Sequence, residues 1–201
     1  VKKTQLRYNG NIVYNPIKDL TLSAVFSYIR DNMNRGYGET LSHISALRDG
    51  LAGWSSVGAY TKMEKLMELT AQYNKEIGAH KFSVLGGYSY NETDFEELWI
   101  DNYGFQDDYF GGWHNIGIGS ALKDGKANIG SKKTPTNLIG FFGRATYSFK
   151  NRYLLMGALR YEGASQLWGT DNAWGLFPSV SVGWRITEEA FMKNQKIFDS
   201  S

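Results

Sequence analysis

The sequence contains no cysteine, which excludes disulfide frameworks and thiolate metal sites. It has no run of about 18 apolar residues, so we expect no helix to span a bilayer. The opening stretch, residues 1–10, has no apolar core, and we expect no secretory leader there. A near balance of 22 basic and 20 acidic side chains argues against a nucleic-acid-binding protein, in which positive charge is concentrated.

Aromatic residues and glycine are abundant, with 13 Tyr, 11 Phe, 6 Trp and 23 Gly against 3 Pro, which is a composition of strands and turns. Alternation between apolar and polar residues recurs along the chain. In one stretch near the end, the apolar members are Val180, Val182, Trp184 and Ile186, and the intervening residues are Ser179, Ser181, Gly183 and Arg185. This period of two predicts strands with one apolar and one polar face.

The alternating segments predict an all-β chain of about seven antiparallel strands, each of roughly ten residues or more. Such strands exceed the usual soluble length and match the roughly 9–11 tilted residues that cross hydrocarbon. Short links are expected near Asn15, near Ile77 and at 150–151, and long ones at 33–56, 96–134 and 165–172. Short turns on one side and long loops on the other are typical of large transmembrane β-barrels, with the turns periplasmic and the loops extracellular.

Aromatic residues near the predicted strand ends add to this interpretation, because Tyr and Trp favour the membrane–water boundary. They are Tyr14, Tyr28, Tyr73, Tyr90, Tyr147, Phe149, Tyr153, Tyr161 and Trp184. A soluble β-sandwich also has aromatic strands, and it remains an alternative. Seven strands cannot close in lipid, where every backbone polar group needs a partner, so a membrane interpretation requires a longer barrel.

Charged residues on the polar face form the first candidate site. They are Arg7, Glu68, Arg144, Arg160 and Arg185. On the lipid face each charge would cost about 2–4 kcal/mol at mid-bilayer, so we expect all five to face the lumen. There they would either bond a plug or line a substrate path.

A resemblance to a known family rests on residues 152–192. The stretches are "RYLL", "LRYEGAS" and "WGLFPSVSVGWRITEEAFM", and they resemble the SusC/RagA family of TonB-dependent outer-membrane transporters of Bacteroidetes. The departures are mild: Glu162 replaces a usual Asp, Ala164 a usual Ser and Ala190 a frequent Pro. The resemblance covers nearly the whole chain and is weakest in two long loops.

The resemblance implies a barrel of roughly 22 strands, of which residues 1–201 would form part of the transmembrane wall. We expect the family's plug domain, TonB box and signal peptide to lie outside this chain. The implied location is the bacterial outer membrane, crossed many times. The implied function is energised nutrient uptake, with a SusD-like surface lipoprotein as lid and TonB acting through the plug. The ligand would be a glycan or a peptide, the surroundings outer-membrane lipid, and no nucleic acid is involved.

Loop aromatics form the second candidate site, for contact with a ligand or with the lid. They are Trp54, Trp99, Tyr103, Phe105, Tyr109, Phe110 and Trp113. Rigid rings provide contact area at low entropy cost, which suits sugar faces and peptide side chains alike. The alternative is that these rings pack the loop on itself, as long ordered loops require.

We expect no enzyme activity, cofactor or metal site. Asp101, Asp107 and Asp108 lack the spacing of a calcium loop, the three histidines form no i, i+4 pair, and no G-x-S-x-G elbow is present. Residues 186–195 suggest a helical turn capped by Thr187, with Glu188 and Glu189 in its first turn. The functional alternatives are a passive porin-like or structural barrel, and a soluble β-sandwich carbohydrate-binding module.

Overall fold

The computed structural model describes residues 1–108, 112–189 and 191–192. Seven strands contain most of these residues. They are β1 (Lys2–Ile17), β2 (Leu20–Glu39), β3 (Trp54–Ile77), β4 (His80–Tyr103), β5 (Asn128–Phe149), β6 (Tyr153–Ala164) and β7 (Trp174–Trp184). They pair in the order β1-β2-β3-β4-β5-β6-β7, so each strand lies beside its neighbours in sequence.

All seven strands belong to one sheet, which confirms the all-β, seven-strand prediction. A β-sandwich has two packed sheets, and among the described residues there is one, so that alternative is wrong. In the described part of the chain β1 and β7 are the edges of an open sheet. An edge strand presents unpaired N–H and C=O groups, and further strands are therefore needed on both sides in a membrane.

Four strands have 20 residues or more, about twice the predicted minimum of roughly ten. β3 and β4 have 24 residues each, β5 has 22 and β2 has 20. Tyr28 and Tyr90 consequently lie well inside β2 and β4 and not at their ends. Outside the apolar segments these strands have polar residues on both faces, which removes the period-two signal that identifies a strand.

The connections alternate as predicted. Two residues join β1 to β2 and two join β3 to β4, with Gly78 at φ +59°, and three join β5 to β6. In the last of these turns Lys150 and Asn151 have φ of +51° and +55°, the left-handed pair that tight hairpins favour. The connections after β2, β4 and β6 are long.

The chain divides into two compact units. The first contains Val1–Tyr8, Tyr28–Glu64 and Glu92–Pro135, and the second contains Asn9–Ser27, Lys65–Asn91 and Thr136–Ser201.

The second unit has an apolar face that does not pack against the rest of the chain. Phe141, Leu155 and Val182 are 50, 48 and 77% exposed. Leu155 lies directly opposite Tyr147 on β5 and Val182 on β7, so side chains of the same character share one face across these strands. No dry interior forms from these three residues. We call this surface the apolar face.

Rings cluster on the apolar face of the second unit beside the short turns. The ring centroids of His80 and Phe149 are 4.8 Å apart, those of Phe82 and Tyr147 are 5.0 Å apart, and His80 Nδ1 lies 2.7 Å from Tyr147 Oη. Tyr153 extends the cluster, with its ring 6.4 Å from that of Phe149. Such a group matches the expected aromatic girdle at a membrane boundary.

The first unit contains the two longest loops and a small core of its own. Its helices are α1 (Ile44–Arg48) and α2 (Ser120–Lys123), with single 3₁₀ turns at Gly112–His114 and Ile116–Ile118. Ala46, Phe105 and Ala121 are its buried apolar residues. Within the described residues no helix is both long and apolar enough to cross a bilayer.

The turn after β7 is a 3₁₀ helix, Ile186–Glu188, in the second unit. Arg185 precedes it without a side-chain cap, and Thr187 lies inside it, so the prediction of a Thr187 cap was wrong. Glu189 follows the turn, and its carboxylate binds side chains of β6 and β7. Arg185 lies one residue beyond β7, and its backbone N–H donates to Arg152 O over 2.8 Å.

Candidate functional site: a charged recess on the polar face

The face of the second unit opposite the apolar face is bound together by polar side chains. Ser27 Oγ donates to Asn9 Oδ1 over 2.7 Å, and Thr21 Oγ1 donates to Asn15 Oδ1 over 2.8 Å, which joins β2 to β1. Gln72 Nε2 donates to Ser83 Oγ over 3.3 Å, which joins β3 to β4. We call this surface the polar face. Its small hydrogen-bonding residues suit contact with water or with another polar surface.

A recess of about 400 Å³ opens on the polar face. It brings together three residues predicted to face the lumen, Glu68, Arg144 and Arg160, which come from β3, β5 and β6. Two rings, Phe142 and Phe177, also line it. The recess therefore combines charge of both signs with aromatic surface.

Arg160 is held in place on several sides. Its guanidinium lies over the ring of Phe142, 5.7 Å from the centroid, forms an ion pair with Glu162 and donates to Ser89 Oγ over 3.5 Å. A guanidinium above an aromatic ring gains a cation–π attraction. Arg160 lies directly opposite Phe142 in the β5–β6 register, which places its side chain on the same face.

Two glycines, Gly87 and Gly140, leave the space that the Arg160–Phe142 stack occupies. A Cβ on Gly87 would lie 2.4 Å from Cζ of Phe142, and one on Gly140 would lie 3.1 Å from Nη2 of Arg160. The ring therefore rests on the bare backbone of β4, and the guanidinium passes over the bare backbone of β5. Neither position leaves room for a larger residue without movement of the ring or the arginine.

Arg144 and Glu68 differ from Arg160 in having no fixed partner. Neither side chain forms an ion pair or a side-chain hydrogen bond to another residue of the described part of the chain. Arg144 is exposed and Glu68 is half-buried. An arginine has five N–H donors in a fixed plane, so Arg144 is available to bind a carboxylate or carbonyl oxygen from outside the wall.

The other two predicted charges lie apart from the recess. Arg7 is exposed on β1 in the first unit, and Arg185 is exposed in the turn after β7. Their role in contacting a plug or a substrate stays a prediction.

Three of the predicted loop aromatics lie in strands, since Trp54 begins β3 and Trp99 and Tyr103 belong to β4, so their assignment to loops was wrong. Phe105 and Trp99 pack within the first unit. Phe105 is 6% exposed, and its backbone N–H donates to Ala52 O over 2.7 Å. Trp99 covers Gly130 so closely that a Cβ there would lie 2.2 Å from Trp99 Cζ2. Tyr103 is half-buried at the end of β4. This geometry favours the alternative that these rings stabilise the loops.

Trp113 and Trp54 retain accessible surface. Trp113 is 39% exposed and lies over Gly36 and Gly38, where an added Cβ would be 2.2 and 3.0 Å from its ring. Trp54 is half-buried, with its ring centroid 5.7 Å from that of Tyr37. Tyr109 and Phe110 lie outside the described residues. A ligand or lid contact of any member of the set stays a prediction.

Two of the acids weighed as calcium ligands are bound within the first unit, Asp108 in a loop and Asp101 on β4. Asp108 Oδ1 accepts the backbone N–H of Leu41 over 2.9 Å, and Asp101 Oδ2 accepts Asn128 Nδ2 over 2.8 Å. Within the described residues no group of three or more His, Asp or Glu side chains is placed to hold a metal ion.

Sequence reasoning selected the charges of the recess but missed the residues that organise it. Ser89, Phe142 and Phe177 lie an even number of residues from polar residues of the same strand. Because side chains alternate between the two faces of a strand, this spacing places them on the polar face. Phe142 and Phe177 are large rings, which in a single sequence resemble lipid-facing residues.

Comparison with known proteins identifies the family. The sequence model of the TonB-dependent receptor-like β-barrel matches residues 2–193. TonB-dependent receptor P26 of Formosa agariphila is 31% identical over 189 residues, which is 93% of this chain and 18% of the relative. TonB-dependent receptor SusC of Bacteroides thetaiotaomicron is 32% identical over 146 residues, 72% of this chain and 13% of the relative.

The fold is also that of a solved transporter. The structure of the RagAB peptide transporter superposes with a TM-score of 0.77 at 23% identity, over 94% of this chain and 20% of that one. Its "open-open" state gives 0.74 over 99% of this chain. The chain thus spans about a fifth or less of the length of the proteins that it matches. The chain belongs to the TonB-dependent receptor family, and its open seven-stranded sheet is a SusC/RagA-like segment of that family's β-barrel.

Proposed function

We propose that this chain is a wall segment of an outer-membrane importer that takes up nutrients by a TonB-dependent mechanism. The observation that carries the proposal is the two-sided second unit. Its apolar face is exposed at Phe141, Leu155 and Val182, and its opposite face carries hydrogen-bonded polar residues and a charged recess. An outward face solvated by lipid and an inward face in contact with a polar interior account for both.

The recess fits the role of a contact for the plug of the whole protein. Arg160 is already neutralised by Glu162, whereas Arg144 and Glu68 offer charges to an outside partner. A plug that stays bound to the wall and then detaches from it during transport needs polar contacts, because charge-assisted hydrogen bonds are directional and exchange readily with water. Arg7 and Arg185 are proposed to contribute further contacts of this kind.

The loops of the first unit are proposed to face a SusD-like lipoprotein lid and the incoming ligand. Trp54 and Trp113 have accessible ring surface for that purpose, and Phe105 and Trp99 support the loops beneath them. Aromatic surface of this kind suits glycans and peptides. The wall itself binds and guides the ligand and does not catalyse a reaction.

The test is uptake by cells that carry the full-length protein. Radiolabelled glycan and peptide pools extracted from the growth medium are supplied to cells with and without TonB, and the accumulated label is measured. Loss of accumulation without TonB supports active import. Equal accumulation in both strains would establish the passive porin-like alternative and overturn the proposal.

A further inference from the structure

The apolar face of the second unit carries a groove of about 520 Å³. Small residues of three neighbouring strands line it, namely Ala24, Ala71 and Gly86, and so do the larger side chains Leu22, Leu69 and Tyr88. A Cβ built on Gly86 meets no atom within 4 Å, so the groove is open in front of this glycine. The depression arises because small residues of adjacent strands meet between taller ones.

The groove is almost wholly apolar on a surface that is already rich in exposed apolar side chains. Leu22 and Leu69 remain 37 and 41% exposed at its edge. A gap on such a surface forfeits dispersion contacts unless a flexible apolar group enters it. An acyl chain is such a group, since its methylenes adjust to an irregular channel and restore the missing dispersion contacts.

The depth of the groove selects the leaflet. Ala71 lies six residues before the end of β3 at Ile77, and Gly86 lies six residues after the start of β4 at His80. Six residues at about 3.3 Å each, tilted by roughly 40°, reach about 15 Å from the turn. That depth is about the middle of the roughly 30 Å hydrocarbon core. Leu22 lies only two residues after the start of β2 at Leu20, so the groove extends from near the short turns to about the middle of the bilayer.

We propose that this groove binds an acyl chain of a glycerophospholipid of the periplasmic leaflet. The proposal rests on the proposed function, because it takes the short turns to be periplasmic and the apolar face to be in lipid. Glycerophospholipid forms that leaflet, whereas lipopolysaccharide occupies the opposite one. The bound chain fills the space in front of Gly86, and Leu22, Leu69 and Tyr88 lie beside it.

Native mass spectrometry of the full-length protein, extracted from outer membranes in mild detergent, tests the site by identifying the retained lipid. Gly86→Leu fills the groove from a position where no protein atom opposes the new side chain. Gly157→Leu is the matched control, because its Cβ also meets nothing within 4 Å and it does not line the groove. Ala71→Leu is a second groove variant if Gly86→Leu does not fold, as judged by heat-modifiable gel mobility.

The expected result is a retained glycerophospholipid on the wild type and on Gly157→Leu, and its loss from the groove variants. Equal retention on all proteins would overturn the proposal, as would retention of lipid A in place of phospholipid. If the wild type instead shows the mass of a dimer, and the groove variants lose that dimer but keep the phospholipid, the groove binds a second copy of the protein and the proposal is overturned. Lipid retention does not depend on TonB, so failure of the importer in the uptake assay is distinguishable from failure here.

Discussion

The hydroxyl of Tyr153 donates to Glu189 Oε1 over 2.8 Å, joining the first residue of β6 to the chain that leaves β7. Trp184 Nε1 donates to the same oxygen over 3.2 Å, and Arg152 Nη1 donates to Oε2 over 3.1 Å. The hydrogen bond from Tyr153, followed by that from Trp184 and by the charge of Arg152, lowers the pKa of Glu189. One carboxylate thus fixes the direction in which the chain leaves the last strand.

We predict that Glu189→Gln destabilises the full-length protein at neutral pH. A depressed pKa in the folded state means that the stabilisation is present above the ordinary carboxyl value of 4.5 and is lost as pH falls through the lower folded value. The wild-type and variant urea-unfolding midpoints in liposomes should therefore converge in acid. Glu188→Gln, at an exposed neighbour, should leave the midpoint unchanged. A gap that persists unchanged into acid would contradict this account.

A charge on the apolar face should be far more harmful than one on the polar face. Val180 is in the middle of β7 and 77% exposed, and Val180→Arg should cost about 2–4 kcal/mol of folding free energy in a bilayer. Ser181→Arg, one residue along on the other face, should cost much less. Urea unfolding in phospholipid vesicles measures both. Equal costs would mean that the apolar face does not meet lipid.

Adjacent glycines should respond differently to a single methyl group. Gly87→Ala should destabilise the protein by about 1–3 kcal/mol, because the new Cβ would lie 2.4 Å from Cζ of Phe142. Gly86→Ala enters open space and should be nearly neutral. The comparison uses the same unfolding assay, and a Gly87→Ala variant as stable as Gly86→Ala would disprove the tight Phe142 contact.

Removal of the unpaired charge in the recess should impair uptake without loss of folding. A hydrogen bond to a charged group is worth about 1.5–3 kcal/mol, so Arg144→Gln should lower TonB-dependent accumulation roughly tenfold or more. Lys18→Gln, at an exposed cation in the β1–β2 turn, serves as control. Heat-modifiable mobility checks that both variants fold. Undiminished uptake by Arg144→Gln would remove the recess from the transport mechanism.

The loop core of the first unit should depend on Phe105. Truncation of a buried Phe costs about 3–5 kcal/mol, so Phe105→Ala should open the loops and expose residues 104–127 to protease. Trp168, in the loop between β6 and β7, is 66% exposed, and Trp168→Ala should leave the digestion pattern unchanged. Intact loops in Phe105→Ala, assayed by limited proteolysis, would show that the ring does not hold them.

Much of the fold could be predicted from the sequence because period-two alternation is a local property. The faces at Val180 and Val182, the tight turn at 150–151 and the seven-strand count all follow from which residues neighbour one another. The resemblance over residues 152–192 identified the family for a similar reason, since that stretch is a continuous run of motif residues.

Only the tertiary structure decided which residues meet across strands. The stack of Arg160 on Phe142 above Gly87, the burial of Phe105 and the hydrogen bonds of Arg152 and Tyr153 to Glu189 join residues far apart in the sequence. The lengths of β2 and β4 were also decided only there, because their outer parts have polar residues on both faces, which conceals the alternation. The alternation of a strand determines the side to which each residue points, and the register between strands determines what it touches there.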